Sequence, residues 1–175
     1  MSIHDLHGKF NGKEFEYISN YLDSEGYSDE KSWVQRFEEE VSEHTGVKYA
    51  VACNSGTSGL HMAIYASGIG HGDEVIMPAL TVVMDAYAVI HVGATPVFVD
   101  VDRSTYGISV EEIRKNITSK TKAIITVSLQ GLSVDMSPIL ELAKEKGIVV
   151  IDDSAQNILG EYKGGVAGTL ADISV

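Results

Sequence analysis

Two short blocks of this 175-residue sequence carry residues that could do chemistry. The first is Asn54-Ser55-Gly56-Thr57-Ser58-Gly59, set between a β-branched run and an amphipathic stretch of helical spacing. A strand, a glycine-containing turn and a helix N-terminus form an anion site, because free backbone N–H groups point outward and the helix dipole favours negative charge. Thr57 and Ser58 would add hydroxyl donors. The same residues serve equally well as an ordinary N-cap. No Gly-Lys-Ser/Thr follows, so the block is not a P-loop. Gly68-Ile69-Gly70-His71-Gly72 comes nearest to a dinucleotide fingerprint, but it ends a helix instead of opening one.

The second block is Ile151-Asp152-Asp153-Ser154-Ala155-Gln156, at the end of another apolar run. A carboxylate there can bind a metal, orient a ribose, hold the proton of a heterocycle or cap the next helix. The six histidines show no metal-ligand spacing; His61 and His91 fall on expected helices and read as packed or surface residues. Cys53 is the only cysteine, which excludes an intrachain disulfide, and it ends an apolar run as an expected buried small hydrophobe. Lys163, the one lysine after Asp153, sits in Glu161-Tyr162-Lys163-Gly164-Gly165 and reads as a surface residue of a hairpin.

The elements that must position these blocks are legible as alternating runs. KYAVAC, EVIMPA, TPVFVDV, TKAIITVSL, GIVVIDD and ADISV read as strands, and GLHMAIYASGI, TVVMDAYAVIHV, SVEEIRKNI and SPILELAKEK as helices. Continuous apolar strands alternating with helices predict an α/β fold with a mostly parallel sheet flanked by helices. Crossovers should be right-handed, and ligands sit outside the carboxyl ends of the strands, where both blocks fall. Residues 9–45 read as helical, broken at Ser24-Glu25-Gly26 and ended by Gly46. The expected organisation is a helical segment over 1–46 and an α/β domain over 47–175. ADISV opens a buried strand and Val175 falls inside it, so the sequence is expected to stop within a strand, where domains seldom end.

The formal net charge of −12 argues against a nucleic-acid partner, since a phosphate backbone needs a basic surface. The N-terminus lacks the pattern of a secretory signal, and the apolar runs are too short to cross a bilayer. A cytoplasmic protein without membrane association is the expectation.

Taken in order, NSGTSGLHMAIYASGIGHGDEVIMPALT, GATPVFVDVD, TKAIITVSLQGLSVDMSPI and VVIDDSAQNILGEYKGGVAGTLADIS resemble the DegT-type family of nucleotide-sugar aminotransferases. These are fold-type-I enzymes dependent on pyridoxal 5'-phosphate (PLP). The resemblance implies that Gly56, Thr57 and Ser58 hold the PLP phosphate, Asp153 pairs with the pyridine nitrogen, and Gln156 lies near the phenolic oxygen. Val82 follows Pro78-Ala79-Leu80-Thr81, where the family often stacks an aromatic residue on the ring; an aliphatic side chain can also pack there. Ser128-Leu129-Gln130-Gly131 replaces a more usual His-Leu-Tyr-Gly. The family places the lysine that holds the cofactor covalently after the strand beginning at Ala171, beyond Val175. The resemblance therefore implies the N-terminal part of a homodimeric aminotransferase, with active sites at the subunit interface. Its substrate would be a nucleotide-linked keto-deoxysugar, its amino donor an amino acid such as glutamate. The 175 residues alone are expected to be inactive. Relatives with a histidine at the lysine position run a dehydration, which is one alternative. A non-catalytic cofactor-binding or assembly fragment is another.

Overall fold

The computed structural model describes residues 13–23 and 32–175. The chain gathers into two compact units, one up to Ala52 and one from Cys53.

The first unit contains α1 (Lys13–Asp23) and α2 (Trp33–Thr45). Ser32 opens α2 with a capping box: the Gln35 N–H donates to Ser32 Oγ at 3.2 Å, and the Ser32 N–H donates to Gln35 Oε1 at 2.9 Å. Gly46 ends the helix at φ 77°, the left-handed conformation that glycine adopts without strain. The Trp33 ring meets Tyr17 and Tyr21 edge-on, with centroids 6.0 and 6.4 Å away. The helical reading of 9–45 holds over these two spans; residues 9–12 and the break at Ser24-Glu25-Gly26 lie outside the described residues.

The second unit opens with α3 (Gly56–Ala66), β1 (Glu74–Pro78), α4 (Val83–His91) and β2 (Thr95–Val99). It continues with α5 (Val110–Asn116), β3 (Thr121–Val127), α6 (Met136–Lys146) and β4 (Val149–Asp153). The hairpin β5 (Glu161–Tyr162) and β6 (Gly165–Val166) and the short β7 (Ile173–Ser174) complete it. Five strands form one parallel sheet in the order β2-β1-β3-β4-β7. Alternate residues serve opposite faces. Val75, Met77, Ala123 and Ile125 pack with Leu60 and Ile64 of α3 and Val89 of α4. Ile76, Ile124 and Val150 pack with Ile113 of α5 and Ile139 and Leu142 of α6. Both faces are covered, which is why these strands read as unbroken apolar runs.

From β1 the chain moves outward to β2, then returns to place β3 on the other side of β1. The order reverses there, and such a switch point opens a crevice at the carboxyl ends of the strands. β2 is the outer strand on its side, and Pro96 is its second residue, opposite Val75.

Two expectations are corrected. KYAVAC is not a strand: residues 48–53 carry no ladder, and Tyr49 and Val51 are exposed. A β-branched run becomes a strand only where a neighbour accepts its backbone hydrogen bonds, and among the described residues none lies alongside. Cys53 is consequently exposed instead of buried, with Sγ 3.2 Å from the Ser55 carbonyl oxygen.

Candidate functional site

Gly56, Thr57, Val82, Asp153 and Gln156 line one crevice at the carboxyl end of the sheet. Its volume is about 270 Å³, near the small end of the range for small-molecule sites. Leu60, Met84 and Val127 add apolar wall. The crevice thus brings together a helix N-terminus and a carboxyl group.

At the helix end, Ser55 is the cap: the Ser58 N–H donates to Ser55 Oγ at 3.2 Å, and the two hydroxyl oxygens are 3.1 Å apart. Ser58 thus belongs to the cap and does not line the crevice, whereas Gly56 and Thr57 do. A methyl group at Gly56 would meet nothing within 4 Å, so the approach to this helix end is open.

At the strand end, the two aspartates face different surroundings. Asp152 is buried and accepts from Thr126 Oγ1 at 2.6 Å and Ser154 Oγ at 2.7 Å. Burial pushes its pKa up, these two hydrogen bonds oppose the rise, and the charge of Asp153 adds to it. Asp153 accepts the Ala155 N–H at 3.0 Å and looks into the crevice. Neither aspartate caps a helix, because β4 leads into turns.

Gln156 is held from behind. The Gln130 N–H donates to Gln156 Oε1 at 2.7 Å, which leaves the amide NH₂ as the free donor end. Gln130 takes φ 54° and Gly131 φ 80°. The tight turn after β3 directs that N–H across to the β4 side, where Ser128 also donates its N–H to the Asp153 carbonyl at 3.0 Å.

One site residue was missed from sequence. Asp85, in the first turn of α4, is fully buried. The Thr81 hydroxyl donates to its Oδ2, and its Oδ1 has no partner. Asp153 is its charged neighbour. Burial pushes the Asp85 carboxyl up to about 7 against the Thr81 hydrogen bond, with the nearby Asp153 charge adding to the rise. A signal was available: Asp85 stands on the same helical face as Ala88 and Val89, four residues after Thr81, in an otherwise apolar run.

The remaining candidates lie apart. The rings of His61 and His91 pack edge-on, 5.9 Å between centroids, and among the described residues no cluster suits a metal ion. Lys163 stands at the tip of the β5–β6 hairpin, exposed, with Nζ 3.3 Å from Asp135 Oδ1 and 2.7 Å from Ser137 Oγ. Tyr162 and Asp135 push its pKa up, so it stays an ammonium. Among the described residues, no helix is long and apolar enough to cross a membrane.

A donor-rich helix end, a carboxylate, an amide NH₂ and apolar walls suit a flat, anionic, protonated heterocycle. Comparison with known proteins points the same way. Residues 9–175 match the model of the DegT/DnrJ/EryC1/StrS aminotransferase family. A GDP-perosamine synthase of Escherichia coli O157:H7 is 45% identical over 163 residues, covering 93% of this chain and 45% of that protein. An aminotransferase structure from Psychrobacter cryohalolentis superposes with a TM-score of 0.89 at 38% identity, covering 95% of this chain and 42% of that one. The E. coli GDP-4-keto-6-deoxy-D-mannose-3-dehydratase with bound hydrated PLP gives 0.85 at 27% identity, covering 94% and 44%. The chain thus spans less than half the length of each of these proteins.

Proposed function

Because the chain belongs to the DegT/DnrJ/EryC1/StrS aminotransferase family, we propose that it supplies the N-terminal, cofactor-cradling part of a PLP-dependent enzyme that transfers an amino group from an amino acid, glutamate, to a nucleotide-linked keto-deoxysugar. One observation carries the reading: the α3 N-terminus and the Asp153 side chain line one crevice. Two relatives are named for GDP-linked sugars and a third for a UDP-linked one.

The residues present fit PLP. The Gly56 turn and the Thr57 hydroxyl would hold the phosphate, with the helix dipole favouring its charge. Ser58 would contribute through the cap that fixes the turn. Val82, extended at the start of α4, would pack against the ring face. The Gln156 amide, locked by Gln130, would present its NH₂ to the phenolic oxygen. When bound, the cofactor would supply an electron sink for negative charge developing on the substrate. The part of Asp153 is to hold a proton on the ring nitrogen, since a carboxylate beside that nitrogen favours its charged form. The apolar wall of Leu60, Met84 and Val127 excludes water from that contact and strengthens it.

A homodimer in the cytoplasm, with the crevice completed at the subunit interface, belongs to the same reading. A second reading is dehydration of a similar sugar, favoured by the likeness to the PLP-bound dehydratase. The family resemblance separates the two by lysine or histidine at one position outside these 175 residues.

Titrating PLP into the full-length protein, followed by assay with glutamate and keto sugars, tests the proposal. Saturable binding that depends on Thr57, with amino transfer that depends on Asp153, is expected. Absence of PLP binding to the wild type would overturn it.

A further inference from the structure

We propose that Asp85 is the positioning residue of the cofactor carboxylate: its carboxyl keeps a proton and donates it in a hydrogen bond to Asp153, so that Asp153 alone carries negative charge at the crevice. The inference rests on the reading of Asp153 as the ring-nitrogen partner and adds a residue to it.

The geometry requires an explanation for Asp85. Its side chain has 0% exposure, and its Oδ1 finds no donor, while its one hydroxyl partner, Thr81, is spent on Oδ2. A buried ionised carboxylate with an orphaned oxygen is among the costliest arrangements a protein can hold. Protonation removes the problem at the same atom: an acceptor without a donor becomes a donor, and the neighbouring Asp153 is the acceptor assigned to it.

Two carboxyl groups sharing one buried site do not both ionise. The surroundings decide which keeps the proton. Asp153 has the Ala155 N–H and an opening to the crevice. Asp85 has neither a backbone donor nor solvent. The titratable groups on α4 and the elements packed against it are His61 and Tyr65 of α3, Glu74 of β1, and Tyr87 and His91 of α4 itself; Asp153, at the end of β4, is a further neighbour. Of these, Asp153 is the one whose charge acts on Asp85. Tyr87 and His91 stack on each other, and His91 meets His61.

The consequence is specific. A hydrogen bond donated to a carboxylate favours its charged form. With Asp85 behind it, Asp153 is held facing the crevice, and a proton opposite it stays on the ring nitrogen.

The test uses the full-length protein, first without cofactor. Infrared difference spectra near neutral pH are expected to show the C=O stretch of a buried protonated carboxyl. The band is expected to vanish in Asp85→Asn and to survive in Asp152→Asn. A band that persists in Asp85→Asn places the proton elsewhere and overturns the proposal. The second readout is affinity for pyridoxamine phosphate. Asp85→Asn keeps an N–H donor toward Asp153 and is expected to bind like wild type. Asp85→Leu removes the donor and is expected to bind roughly ten- to a hundredfold more weakly, the range of a hydrogen bond to a charged group. Equal affinities of the two variants also overturn the proposal. Should Asp85→Leu not fold, the near-isosteric Asp85→Asn still decides through the infrared band. Loss of the band in a protein that binds no cofactor supports the shared proton and overturns the cofactor reading, so the two fail separately.

Discussion

Replacing Asp85 with asparagine changes how stability depends on pH, and the size of the change follows from its surroundings. In the unfolded chain Asp85 titrates at its ordinary 3.8, and in the folded protein at about 7. Between those values the folded state holds a proton that the unfolded state has released. Unfolding free energy therefore falls as pH rises through this window, and the whole penalty is present above the folded value. Each unit of separation is worth about 1.4 kcal/mol. The window from about pH 5 to about pH 8 includes roughly two such units, so wild type is expected to lose about 3 kcal/mol there on this account. Asparagine has no proton to lose, and its amide can still accept from Thr81 and donate to Asp153. The measured quantity is the difference between variant and wild type in the full-length protein without cofactor, by thermal or urea unfolding at both pH values. Groups common to both proteins contribute equally and cancel in the difference. Asp85→Asn is expected to gain on wild type toward alkaline pH. Parallel pH profiles for the two proteins would refute the argument, because they would show that the folded state holds no extra proton at Asp85 in this range.

Thr57→Val removes one hydroxyl from the phosphate end, and PLP affinity is expected to drop roughly ten- to a hundredfold by equilibrium titration. Ser55→Ala removes the α3 cap and is expected to cost about 1 kcal/mol of stability, read by urea unfolding. Asp153→Asn is expected to leave PLP bound while slowing amino transfer in single-turnover kinetics. Asp152→Asn, which disturbs the contacts to Thr126 and Ser154, is expected to lower stability more than rate; equal rate losses from the two would mean the wrong carboxylate faces the ring. Borohydride reduction of the PLP-loaded full-length protein, followed by peptide mass spectrometry, is expected to give no stoichiometric label at Lys163, which stays an ammonium beside Asp135.

Most of the sheet was legible because its strands are buried on both faces. Val75 to Met77 and Ala123 to Val127 are apolar at every position or nearly so, and only a covered strand can be. Gly56, Thr57, Val82, Asp153 and Gln156 could be placed together because each follows, or opens onto, a strand end of that sheet. KYAVAC shows the limit of such reading. Its composition is that of a strand, but a strand is a relation between two segments, and a single run does not state its partner. Cys53 inherited that error. Asp85 was passed over for a related reason. Its partner Asp153 is far along the chain, and only the packing of α4 beside the end of β4 makes one carboxyl a problem for the other. The turn Ser128–Gly131 was noted as a departure from the family, but its use, an N–H directed at Gln156, depends on Gln130 adopting a positive φ that its residue type does not announce.

Pro96 gives the sheet a direction of growth. In the β2 ladder the Thr95 N–H donates inward, to the Asp73 carbonyl at 2.9 Å. Backbone donors alternate sides along a strand, so the position of residue 96 faces away from β1. A proline there has no hydrogen to offer, and the outer row of donors is interrupted near the start of the strand. Another strand approaching from this side would find the ladder incomplete, although Phe98 is half exposed there and would otherwise invite it. Any widening of this sheet, whether by later parts of the same polypeptide or by a second molecule, is thereby steered to the opposite margin beyond β7, and a single ring residue works as a guard against chains joining at the wrong end.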